Sequence, residues 1–293
     1  MFQEKTFKTD ILAINFAEGP EAGPPLVMLH GGGDRWQNFL PILLNLGTKW
    51  HIYALDLRGH GKSGHVSNQY RPENYVIDVI FFLKKHVAVP VTLFGHSLGG
   101  WIALMVAVKL KNEVKALILG DPPLNIERFL AHESSEQRIS MWRALRELLG
   151  SYLPVTEMAS RLADLPVSKS EQGEPVKLGD LPGMDENHFR SWAEMLNQID
   201  PDVIRYHAEG RLYEYVEKVD IDAALQAVSC PVLLLQGDPS QGGVISDSDA
   251  ENALSLLSNG RHVKLEGVGH DLGLETKNIN PVLEAVVEFF ETL

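Results

Sequence analysis

The 293-residue chain contains a single cysteine, Cys230. One thiol excludes an internal disulfide framework and fits a reducing compartment. Long apolar runs are also missing: "WIALMVAVKL" is too short to span a bilayer and is followed by charge. The opening segment "MFQEKTFKTD" is charged and lacks the apolar region of a signal peptide, so a cytoplasmic protein is expected. Basic residues are scarce, with 26 Lys and Arg against 39 Asp and Glu and a formal net charge of −13. Nucleic acid and anionic membrane are therefore not expected partners, since both require clustered positive charge. No cluster of His, Cys and carboxylate residues has ligand spacing, and neither a metal nor a cofactor is expected.

What is present is ordinary soluble-protein material with a strong local rhythm. Segments near "KTFKTDILAINFAEG" alternate as an antiparallel hairpin at a sheet edge. Four apolar runs follow, "PLVMLHGGG", "WHIYALDLRG", "VTLFGHS" and "VKALILGDPP", each ending in Gly or Asp. Helical patterns lie between them, around Gln37–Leu46, Glu73–His86 and Leu98–Leu110. Continuous apolar strands alternating with helices describe a parallel sheet covered on both faces. After Asp121 the rhythm becomes helical, interrupted by the polar stretch "SKSEQGEPVKLGD", which reads as a mobile surface loop. Strands return at "PVLLLQG" and "HVKLEGVGH", with helices near Asp249–Leu257 and Val282–Leu293. The organisation expected is one α/β core, residues 1–121 and 230–293, carrying a helical insertion over 122–229.

"LFGHSLGGW" carries the most chemistry. A strand runs into Gly95-His96-Ser97-Leu98-Gly99 and a helix follows at once, the strand–turn–helix setting that G-x-S-x-G requires. A strained turn exposes Ser97 as nucleophile, and the helix aims its first N–H groups at developing negative charge. Upstream, "LHGGGDRW" follows an earlier strand, and its glycines offer unobstructed backbone N–H groups. The N–H groups of Gly32 and Leu98 are the expected oxyanion donors. His30 is read as a loop anchor.

In this order, His30-Gly31-Gly32-Gly33, "DLRGHGKS" (Asp56–Ser63), "GHSLGG" and a late "GVGHD" resemble the α/β-hydrolase family across nearly the whole chain apart from the insertion. The resemblance implies an eight-stranded, mostly parallel sheet, a helical lid inserted after the sixth strand, and a nucleophile–acid–histidine triad. By its position after the last strand, His270 matches the family's catalytic histidine, the base that a serine hydroxyl needs. Asp56, Arg58 and His60 belong to a fold fingerprint with structural roles. His132, His188 and His207 fall in the insertion, where exposed or capping roles are the default.

The triad acid is the open question. Most of the family carries it after the seventh strand as Gly-x-x-Asp, but here that strand ends at Gly237 and the third residue onward is Ser240. Asp238 is a reserve candidate, with an Asx-turn before Pro239 as its ordinary use. Asp247 and Asp249 read as N-caps of the following helix. Asp121, after the sixth strand, is preferred, an arrangement similar to that of certain haloalkane dehalogenases and zearalenone lactonases. Both strand ends lie on one sheet edge, within reach of His270.

The expected substrate is a small ester or lactone, apolar or aromatic, cleaved through an acyl-serine. Ser-dependent C–C bond hydrolysis, perhydrolysis and a ligand receptor on the same scaffold are the alternatives. Trp36 and Trp192 are the candidate substrate-contacting aromatics. The sequence leaves the oligomeric state open.

Overall fold

The computed structural model describes residues 2–87, 90–169, 173–181, 184–274 and 278–293. Eight strands form the main sheet: β1 (Gln3–Lys8), β2 (Ala13–Glu18), β3 (Pro25–Leu29), β4 (His51–Leu55), β5 (Val91–His96), β6 (Val114–Gly120), β9 (Val232–Gly237) and β10 (Gly260–Leu265). Their order is β1-β2-β4-β3-β5-β6-β9-β10. β1 pairs antiparallel with β2, and β2 antiparallel with β4, so the N-terminal hairpin caps one edge. Every other pairing is parallel.

The apolar strand runs bury alternate residues on opposite faces, the period-two consequence of the pleat. Along β9, Val232 and Leu234 join one apolar cluster while Leu233 and Leu235 join the other. The second cluster is closed by α1 (Leu40–Leu46) and α12 (Asn280–Phe290). On the opposite face lie α2 (Pro72–Phe82), α3 (Leu98–Lys109) and α11 (Asp247–Leu256). α3 is apolar nearly all round, as its depth demands: Trp101, Ile102, Ala103, Leu104, Val106 and Ala107 are buried.

Between β6 and β9 the chain runs through α4 (Ile126–Glu133), α5 (Glu136–Leu149), α6 (Val155–Ala163), α7 (Glu186–Leu196), α8 (Arg205–Ala208), α9 (Leu212–Val216) and α10 (Ile221–Ala227). Here one expectation needs correction. The polar stretch read as a mobile loop contributes a hairpin, in which β7 (Pro166–Lys169) pairs antiparallel with β8 (Pro175–Lys177). Leu178, directly after β8, is buried and donates its N–H to the carbonyl of Leu165. A few anchored residues thus override the polarity of their neighbours. Residues 170–172 of that stretch lie outside the described residues.

The parallel strands all point the same way, so their exit loops gather at one edge of the sheet. Gly31–Gly33, Ser97, Asp121, Asp238 and His270 all follow strand C-termini there, the edge where open α/β sheets bind ligands.

Candidate active site

Ser97 sits between β5 and α3 with φ 51° and ψ −117°, outside the comfortable regions for an L-residue. Its neighbours hold it there. A Cβ on Gly95 would fall 2.1 Å from the carbonyl oxygen of Gly99, and one on Gly99 would fall 2.1 Å from that of Leu29. The Ser97 N–H donates to the carbonyl of Gly120 at 2.9 Å, tying the turn to the end of β6.

The structure brings three predicted residues into one hydrogen-bonded chain. His270 Nε2 lies 3.0 Å from Ser97 Oγ, and His270 Nδ1 lies 2.7 Å from Asp121 Oδ2. Because the carboxylate accepts, the proton rests on Nδ1 and the lone pair of Nε2 faces the serine hydroxyl. Asp121 is fully buried and adopts φ 44°. Its charge is met by more than His270: Oδ1 accepts from the N–H groups of Gly237 (3.0 Å) and Ile245 (3.3 Å), and Oδ2 accepts from Val244 N–H (2.9 Å). Four donors thus satisfy a buried carboxylate whose desolvation would otherwise be costly.

Asp238 is not brought to the histidine. Its Oδ1 accepts from Ser240 N–H and its Oδ2 from Gly267 N–H, an Asx-turn that also braces the loop after β10. The backbone of its own loop instead turns inward at Gly237, Val244 and Ile245 to cradle Asp121. The helix entry also differs from expectation. Ser246 is the N-cap of α11, and Asp249 closes a capping box from the third position. Asp247 lies in the first turn and accepts from Gln236 and Lys264.

The other fingerprint residues are structural braces. Asp56 accepts from Trp36 N–H, Lys62 N–H and the Asn15 amide, and Arg58 pairs with Asp78 through two hydrogen bonds of 2.5 and 2.6 Å. His30 accepts from Leu57 N–H through Nε2 and donates to the Gly31 carbonyl through Nδ1. Burial pushes its imidazole down to about 4. His60 accepts from Gly33 N–H, and burial takes it down to about 3. Neutral imidazoles thus shape the Gly31–Gly33 turn.

A cavity of about 770 Å³ opens over Ser97, with Gly32, Leu98 and His270 in its floor. As the first residue of α3, Leu98 has no intrahelical acceptor for its N–H. The helical segment supplies an apolar roof that includes Phe129, Trp142, Trp192, Met195 and Tyr215. Trp36 is not among the lining residues. Its ring packs in the core beneath the sheet and its indole N–H donates to Glu4 at 2.8 Å, because the turn after Gly33 folds it inward.

His207 also departs from the exposed role expected of it. It packs against Trp142 and Tyr215, and burial pushes it down to about 4. Charged residues at the cavity are paired: Arg128 bridges to Asp249 with contacts of 2.6 and 2.9 Å, and Glu133 accepts from Arg138 and the Trp142 indole. Two site residues escaped the sequence reading, His96 and Asp34. The first occupies a variable position of G-x-S-x-G and the second follows the glycine turn, so only spatial contact distinguishes them. Among the described residues, no group of three or more His, Cys, Asp or Glu residues is placed to hold a metal ion.

The sheet order, the serine turn and the carboxylate–histidine–serine chain define an α/β-hydrolase architecture. The sequence profile of the Alpha/beta hydrolase family matches residues 26–281, and the chain belongs to that family. It is 27% identical to a non-heme haloperoxidase of Rhodococcus erythropolis, over 92% of this chain and 93% of the relative. It is 25% identical to (E)-2-((N-methylformamido)methylene)succinate hydrolase of Acinetobacter baylyi, over 91% of each chain. Among solved structures, E-2-(acetamidomethylene)succinate hydrolase superposes with a TM-score of 0.72 at 19% identity, covering 99% of this chain and 100% of that one. An enol-lactonase from Burkholderia xenovorans gives 0.69 at 14% identity, covering 98% and 100%. No helix among the described residues is long and apolar enough to cross a membrane.

Proposed function

We propose that this chain is a serine hydrolase of small carboxylic esters or lactones. The observation that carries the reading is the chain Asp121–His270–Ser97 on the floor of a cavity with an apolar roof. In this reading His270 Nε2 takes the proton of Ser97 Oγ as the oxygen attacks the substrate carbonyl. Asp121 holds the histidine tautomer and balances its transient positive charge. The N–H groups of Gly32 and Leu98 receive the developing oxyanion. The proton on His270 then passes to the leaving alkoxide, and the acyl-serine that remains is hydrolysed by water through the same base. The helical segment over residues 122–229 acts as a lid, and its aromatic lining, Trp192 included, selects an apolar or aromatic substrate group. No metal or cofactor enters this scheme.

The haloperoxidase relative supports a second reading, in which hydrogen peroxide replaces water as acceptor of the same acyl group. One experiment addresses both. A fluorophosphonate should label Ser97 stoichiometrically in folded protein, p-nitrophenyl esters should turn over, and added peroxide should reveal any peracid. Absence of label on Ser97 sinks the hydrolase reading, and absence of peracid sinks the second.

A further inference from the structure

His96 closes β5 immediately before Ser97, is only 5% exposed, and touches two other loops of the site. Its Nε2 lies 2.7 Å from the main-chain carbonyl oxygen of His270, and the two imidazole centroids are 5.0 Å apart. A carbonyl can only accept, so His96 Nε2 must carry a proton. Its Nδ1 is buried, has no hydrogen-bond partner, and lies 3.7 Å from Asp34 Oδ2. Asp34 belongs to the turn after β3, and its Oδ1 accepts from the Asn38 amide. The approach passes over Gly31, where a Cβ would come within 2.9 Å of Asp34 Oδ2 and 3.1 Å of His96 Nδ1. Glycine next to the oxyanion turn is thus what allows this imidazole and carboxylate to meet.

The proton count decides the charge. A neutral His96 with its proton on Nε2 would turn the Nδ1 lone pair towards the half-buried, ionised carboxylate of Asp34, which is repulsive. Facing an Asp34 carboxylate that stays ionised, only the doubly protonated ring is attractive on both sides.

We propose that His96 and Asp34 form an ion pair at the cavity wall that positions the site, His96 as imidazolium joining the oxyanion turn, the nucleophile turn and the His270 loop. Neither residue touches the reacting atoms, so both are positioning residues. The groups facing the pair are Asp121 just after β6, His270 from its loop, and neutral His30 and His60 beside Asp34. Burial opposes the charge on His96, but Asp34, the His270 carbonyl and Asp121 together raise it above the ordinary imidazole value. Burial likewise opposes the Asp34 carboxylate, which His96 holds below its ordinary value. The tie is therefore intact around neutral pH; it is lost as pH rises through the value of His96 in the folded protein, and at the acid end as Asp34 takes up its proton.

Long-range ¹H–¹⁵N spectra of histidine-labelled protein test the protonation without any substrate, with the His96 signals assigned by their loss in His96→Gln. Both His96 nitrogens should be protonated at pH 6.5, and Asp34→Asn should move the titration to lower pH. A neutral His96 at pH 6.5 in the wild-type chain, or a titration unmoved by Asp34→Asn, overturns the ion pair. The positioning arm rests on the serine-hydrolase reading and follows the rate of Ser97 labelling by fluorophosphonate. His96→Phe should slow labelling on the order of 10- to 100-fold, the scale of a misplacement near 1 Å. His96→Gln, whose amide can reach the same carbonyl, should recover most of that loss. Equal rates in wild type and His96→Phe overturn the positioning role, whereas a wild-type chain that never labels indicts the hydrolase reading and leaves the spectra to judge the ion pair.

Discussion

At the scale of single residues, the site separates the preferred acid, Asp121, from its reserve candidate, Asp238. Asp121 places Oδ2 at 2.7 Å from His270, while both oxygens of Asp238 are engaged by backbone N–H groups. Asp121→Asn should therefore lower kcat on the order of 10⁴-fold, as in the best-studied serine triad, because the amide no longer enforces the productive tautomer. Asp238→Asn should stay within a few-fold of wild type. Steady-state kinetics on one ester checks both, and the reverse pattern would overturn the assignment of the acid. A different residue-level effect concerns stability. Arg58 is 2% exposed and bound to the half of α2 that carries Asp78. Arg58→Met leaves that carboxylate buried without its cation and should cost about 3–5 kcal/mol, measured by urea unfolding.

At the scale of elements, the junction of β5 and α3 is as tight as backbone allows. Gly99→Ala pushes a methyl group against the carbonyl of Leu29, which cannot yield as a flexible side chain would. The expected loss is about 1–3 kcal/mol, with slower labelling of Ser97 as the first turn of α3 shifts. Equilibrium unfolding together with the labelling rate tests it, and a variant indistinguishable from wild type in both rules it out. The contact between α4 and α11 should behave differently. Arg128 is 46% exposed although Asp249 is buried, so solvent screens their bridge. Arg128→Ala should change stability by less than about 1 kcal/mol. Because both residues line the cavity, the larger response is expected in KM.

For the whole molecule, acid is the expected weakness. Burial holds His30 and His207 down to about 4 and His60 down to about 3, against an ordinary value of 6.5. On acidification the unfolded chain takes up these protons first. The contribution of the three histidines is therefore present above about pH 6.5 and is lost as pH falls towards their folded values, by up to about 1.4 kcal/mol per pH unit for each. Urea midpoints should fall steeply between pH 6.5 and 4.5 (about the span of these titrations). A flat profile there would mean that these rings take up protons without unfolding. His96 has the opposite sign, since its raised value places its loss on the alkaline side.

Much of this architecture was legible along the chain. Apolar runs with Gly or Asp at their ends marked the parallel strands because strands buried on both faces need continuous hydrophobicity. Ser97 was legible because its turn imposes glycine on both flanks through backbone clashes that no side chain can relieve. His270 was legible from its position after the last strand. Those signals are local, written in neighbouring residues. Between Asp121 and Asp238 the chain supported only a preference for Asp121, because an acid is selected by where its carboxylate meets an imidazole and by which N–H groups meet the carboxylate. Those donors, Gly237, Val244 and Ile245, lie more than a hundred residues beyond Asp121. The inward packing of Trp36 and the meeting of His96 with Asp34 were hidden for the same reason. Sequence alone determined the strand rhythm, the serine turn and the histidine and ranked Asp121 first, whereas the contacts that set Asp121 apart from Asp238 were decided by strand ends that only the folded sheet brings to one edge.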